Sequence, residues 1–206
     1  MINREGFRAD NLLHSWLSSH AGGWQFGEQG ILCEIAECFF DYKPLCIEIG
    51  AGDGEGLPLT IEPFYRAECS CDLFEIDESK RKKLLEKYPK AGVFDEWRPE
   101  ATPNCDLVVI DVDGEDSAIM RQLLKVESPC LLMVEHFDSL HPVASVSGEP
   151  LPSWCLGITL QGGFRLQDSA ESLKRIAADF GYDRIGTTRV NSIFVRRDLY
   201  RLIPQK

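Results

Sequence analysis

"CIEIGAGDGEG", residues 46–56, sets glycines at 50, 52, 54 and 56 directly behind a short apolar run, and brackets them with Glu48, Asp53 and Glu55. Glycine weakens the interior of a helix or strand, so this spacing points to a tight turn or to the close approach of a ligand. The run in front of it, "LCIEI" (45–49), has strand length. Three more of the kind follow: "CDLFEI" (71–76), "CDLVVI" (105–110) and "CLLMV" (130–134). Such continuously apolar runs suit strands buried on both faces of a parallel sheet.

Helical periodicity fills the intervals. Residues 7–20 and 28–41 read as helices, the second with Ile31, Leu32, Ile35, Ala36, Phe39 and Phe40 on one face. "ESKRKKLLEKY" (78–88), "SAIMRQLLKV" (117–126) and "SAESLKRIAADF" (169–180) follow the same logic. In the last, Asp168 and Glu171 match a capping box, and Gly181 supplies the stop. "GVFD" (92–95) reads as a third strand, and "DRIGTTR" with "NSIFVRR" as a closing antiparallel pair. The expected fold is α/β: one domain over 1–206 with a doubly wound, mostly parallel sheet and helices on both faces. N-terminal helices occupy 1–42, and the Pro-, Gly- and Ser-rich stretch 138–167 reads as a lid or substrate loop.

The net charge of −11 over 206 residues argues against sequence-independent binding to nucleic acid and against an anionic membrane face. It favours a small or cationic ligand, or a protein partner; a homodimer stays open. No apolar run spans a bilayer, and the opening residues lack a signal-peptide core, which points to the cytoplasm. The eight cysteines contain no CxxC pair, and Cys46, Cys105 and Cys130 adjoin apolar runs, so they read as reduced core thiols.

Open sheets of this kind bind ligands at the carboxyl ends of their strands, where the glycine run sits. The dinucleotide pattern GxGxxG fails here, because Glu55 or, one frame on, Leu57 falls at the third glycine. An acidic loop is also a poor host for pyrophosphate and a better one for sulfonium and ammonium groups. At this point the chain resembles the S-adenosylmethionine-dependent methyltransferases with a Rossmann-like sheet. "QFGEQGILCEI", "IDVDGEDSAIMRQLL", "LLMVEH" and "GYDRIGTTRVNSIFVRRDL" narrow the resemblance to FkbM-type enzymes and their relatives.

The resemblance implies S-adenosyl-L-methionine as cofactor. It counts Glu48 among the cofactor-binding residues and places Gly50, Gly52 and Gly54 at the methionine part, Asp77 on the ribose hydroxyls, Asp95 at the adenine edge, and Asp111 at the sulfonium end. Glu75, on the same strand face as Asp77, competes for the ribose. Methyl transfer needs an acceptor held in line and a base for its proton; Asp111, Glu135 and His136 are the catalytic candidates. Asp113 joins them as a site candidate, although it or Asp116 also suits a helix cap. Oxygen and nitrogen ligands of this sort could hold magnesium, although no spacing demands it. The arginines near the end, Arg189, Arg196 and Arg197 among them, read as a solvated face.

The expected activity is O-methylation of a small-molecule hydroxyl, such as that of a sugar or secondary metabolite. A non-catalytic binding or assembly subunit on the same fold is the alternative.

Overall fold

The computed structural model describes residues 28–55, 58–99, 104–112, 114–136, 156–160, 163–188 and 190–200. The expected helix at 7–20, together with Asp113 and Arg189, lies outside them.

A seven-stranded sheet organises the chain: β1 (Leu45–Ile49), β2 (Ser70–Phe74), β3 (Gly92–Phe94), β4 (Leu107–Ile110), β5 (Leu131–Glu135), β8 (Tyr182–Thr187) and β9 (Asn191–Arg196). Its order is β3-β2-β1-β4-β5-β9-β8. The first five strands are parallel; β9 runs antiparallel to β5, and β8 antiparallel to β9. The chain winds outward from β1 to β3, then crosses back to β4, so the order reverses between β1 and β4. All four apolar strand runs fall where the sequence places them, within two residues at either end.

Helices α1 (Glu28–Ala36), α2 (Glu62–Arg66), α3 (Glu78–Lys87), α4 (Asp116–Val126) and α5 (Ala170–Asp179) divide between the two faces. Period-two alternation splits each central strand between them. Leu107, Val109, Leu131 and Met133 pack with Leu32, Phe64 and Leu84 of the first three helices. Val108, Ile110, Leu132 and Val134 pack with Met120, Leu123, Leu173 and Ile176 of the last two. Each such fully buried side chain contributes about 1.5–3 kcal/mol, so the central strands anchor everything built on their ends.

Four expectations need correction. The helix expected over 28–41 stops at Ala36; tight turns carry Cys38 and Phe39 onto Ile35 and Ala36, which still buries Phe39 and Phe40. The short helix α2, opened by Pro63, has no counterpart in the sequence reading. The stretch 138–167 is not wholly irregular, because β6 (Leu156–Leu160) and β7 (Gly163–Gln167) pair antiparallel. Finally, the cap of α5 is Ser169, whose hydroxyl accepts from the Ser172 N–H, rather than Asp168.

Among the described residues the cysteines are free, and all but Cys38 are buried. Burial pushes the Cys33 thiol up to about 12, so it packs as a small inert hydrophobe.

Candidate active site

A cleft of about 1290 Å³ opens at the carboxyl ends of the parallel strands, across the point where the strand order reverses. Among the described residues, ten of its lining side chains are carboxylic acids, and Lys80 is the one base. Glu48, Gly50, Gly52, Asp77, Asp95, Asp111 and Glu135 all line it.

The glycine loop is shaped from two directions. Gly50 has φ +87°, and a Cβ there would lie 1.7 Å from the Asp111 carbonyl oxygen. The close approach that demands glycine at this position is that of the chain to itself, where β1 and β4 emerge side by side. Gly52 has φ +62° and nothing within 4 Å of its Cβ direction, so its backbone is open to the cleft. Gly54 does not line the cleft; a Cβ there would meet the Tyr88 ring at 2.9 Å. The loop's acidity is partly met from α3, where Lys83 pairs with Asp53 at 3.2 Å and Glu55 at 2.8 Å.

Three buried carboxylates clamp the walls, each accepting two backbone amides, one per oxygen. Glu48 takes the Thr60 and Ile61 N–H groups, both at 3.0 Å, and so fixes the entry to α2. Burial, with Asp111 adding to it, pushes its pKa up to about 7 against the pull of those amides. Glu75 takes the Gly52 and Asp77 N–H groups, both at 2.9 Å, joining the glycine loop to the start of α3. Asp116 takes the Val112 and Gly114 N–H groups at 3.0 Å. Burial raises its pKa to about 6, and Asp111 again adds.

The long-range part of these clamps was not legible in the sequence, because Thr60 and Ile61 lie 12 and 13 residues from Glu48, and Gly52 lies 23 from Glu75.

Asp77 caps α3. Its Oδ1 accepts from the Ser79 N–H at 2.8 Å, the Ser79 hydroxyl and the Lys80 N–H, and these bonds hold its carboxyl below the usual range. Asp95 is exposed just beyond β3. Ile76, which sequence reasoning passed over, is 83% exposed on the cleft wall between Glu75 and Asp77.

Of the catalytic candidates, Asp111 and Glu135 share the cleft, whereas His136 is 2% exposed and does not line it. Strand alternation separates Glu135 from its neighbour. Among the described residues, which omit Asp113, no group of three or more His, Cys, Asp and Glu side chains could hold a metal ion. Arg196 is paired with Asp198 at 2.8 Å and Arg197 with Asp183 at 3.1 Å, away from the cleft.

No protein-family model matches the chain, and no curated protein matches it either. Solved structures do. The amino pentose methyltransferase CalS10 of Micromonospora echinaspora matches at 13% identity and TM-score 0.55, over 85% of this chain and 92% of that one. The CcbJ methyltransferase of Streptomyces caelestis matches at 14% identity and TM-score 0.51, over 90% and 96%. The mitomycin 7-O-methyltransferase MmcR matches at 15% identity and TM-score 0.47 over 82% of this chain; the chain spans about half, 53%, of its length. The fold is that of the class I S-adenosylmethionine-dependent methyltransferases: the mostly parallel sheet, the flanking helices and the closing antiparallel pair match its topology.

Proposed function

We propose that the chain is a methyltransferase that binds S-adenosyl-L-methionine in this cleft and methylates a small molecule. The carrying observation is the cleft itself, which combines an open glycine backbone at Gly52 with acids at the ends of β1 to β5 and, among its described lining residues, a single base. When bound, the cofactor supplies a methyl group on a positively charged sulfonium, and the surrounding carboxylates complement that charge.

In this reading Gly52 leaves room for the methionine part. Two carboxylates compete for the ribose diol: Glu75, already accepting one amide from the glycine loop and one from the start of α3, and Asp77, whose Oδ1 carries the helix cap. Glu75 is the better placed, because it is buried and ties the ribose position directly to the glycine loop. Ile76 offers a face, and Asp95 an edge, for the adenine. Asp111 stands beside the reacting end. Glu135 is the base that fits, since it lines the cleft and His136 does not; it would accept the proton of the acceptor hydroxyl as that oxygen takes the methyl group. Magnesium finds no ligand group among the described residues, and no step here uses it.

The narrower kinship with FkbM-type enzymes rests on sequence motifs alone, and the choice of a hydroxyl rests on that resemblance. A cytoplasmic location fits the absence, among the described residues, of a helix long and apolar enough to cross a membrane.

The test is transfer of a labelled methyl group from S-adenosylmethionine to a panel of hydroxylated small molecules, with wild type and Glu135→Gln. The expected result is transfer by wild type and a loss of at least about hundredfold in the variant, with binding of S-adenosylhomocysteine retained. Cofactor binding without transfer to any acceptor would favour a binding subunit instead. No cofactor binding would end the reading.

A further inference from the structure

The loop joining β4 to α4 carries Asp111 and Val112 along the cleft, and Glu115 and Ile119 continue the wall. Asp116 does not touch the cleft, being 1% exposed beneath it. Its Oδ1 accepts from the Val112 N–H and its Oδ2 from the Gly114 N–H, both at 3.0 Å. The donors belong to the loop and the acceptor to the first turn of the helix, so the pair of bonds fixes one against the other. The helix start is held independently, because Asp168, just after β7, accepts from the Ser117 N–H at 3.1 Å.

We infer that Asp116 is a positioning residue for the methyl donor: by clamping the Val112 and Gly114 amides it sets the wall on which Asp111 and Val112 face the ligand. This rests on the reading that the cleft holds S-adenosylmethionine. A carboxylate presents an acceptor at each oxygen, whereas an asparagine presents one acceptor and an NH₂ group. Asp116→Asn therefore keeps one clamp bond and sets a donor against a donor at the other. The shape of the side chain is unchanged, so the loss falls on the loop.

The experiment pairs amide hydrogen exchange at Val112, Gly114 and Ser117 with calorimetric titration of S-adenosylhomocysteine, in wild type and Asp116→Asn. In wild type all three amides are expected to be protected and the ligand to bind. In the variant one of the Val112 and Gly114 amides should exchange freely, and affinity should fall about tenfold. Ser117, held by Asp168, should stay protected, which separates a moved loop from a lost helix. Unchanged affinity in the variant, or free exchange at Val112 or Gly114 in wild type, would overturn the inference and leave the methyltransferase reading standing. A wild-type protein that does not bind S-adenosylhomocysteine would overturn both. Should Asp116→Asn fail to fold, wild type alone decides: ligand-dependent slowing at Val112 and Gly114 supports the role, and unchanged rates there overturn it.

Discussion

The loops after β1 and β4 lean on each other where the strand order reverses, and each is held by one buried carboxylate, Glu75 for the first and Asp116 for the second. They differ in where their shape comes from. The glycine loop is dictated partly by its neighbour, since the Asp111 carbonyl occupies the space a Gly50 side chain would need. The β4–α4 loop is dictated by its own helix, through Asp116. A glycine-rich motif that looks like a ligand cradle is thus, at its first glycine, a packing requirement of the sheet, and only at Gly52 an opening toward a ligand.

The sharpest way to break that contrast is to add one methyl group at each glycine. Gly50→Ala would drive a Cβ into the Asp111 carbonyl at 1.7 Å from a φ of +87°. The expected cost exceeds about 4 kcal/mol, read as loss of the cooperative urea transition. Glu75→Gln comes next: one of two amides loses its acceptor in a buried place, at a cost of about 1–3 kcal/mol by the same measurement. Gly52→Ala meets no neighbour and suffers only the strain of φ +62°, about 1–2 kcal/mol. If the two alanine variants proved equally stable, the distinction between the glycines would fall.

A gentler probe uses pH. Glu48 and Asp116 have folded-state pKa values raised to about 7 and about 6, above the ordinary 4.5 and 3.8. The folded chain therefore holds more protons than the unfolded one between those limits, and by linkage these two groups make stability fall as pH rises through roughly 4–7. Melting temperature should be higher at pH 5 than at pH 7.5, and Glu48→Gln should flatten the slope. A slope unchanged by that substitution would show that Glu48 does not titrate in this window. Asp77→Ala should have the smallest effect on stability, because it removes an exposed helix cap. Its effect on S-adenosylhomocysteine affinity, set beside that of Glu75→Ala, tells which acid holds the ribose.

Much of the architecture was legible because the central strands are buried on both faces and therefore nearly pure apolar runs. "LCIEI" and "CLLMV" carry their own assignment. Helix α2 was not legible, since five residues containing Pro63 show no period. Nor was the β6–β7 pair, which lies within a Pro-, Gly- and Ser-rich stretch that reads as loop. Within the site, Asp111 and Glu135 were foreseeable from their places at strand ends. Sequence placed His136 beside them, yet strand alternation sends it elsewhere. The clamping by Glu48, Glu75 and Asp116 was hidden, because a carboxylate that accepts backbone amides and one that awaits a ligand are spelled with the same letters.

The claim on which the rest depends is that this cleft receives S-adenosylmethionine. Calorimetric titration of wild type with S-adenosylhomocysteine, with NAD as control, tests it most directly. Saturable one-to-one binding of the former and none of NAD is the expected result; no binding of S-adenosylhomocysteine, or preference for NAD, would contradict it.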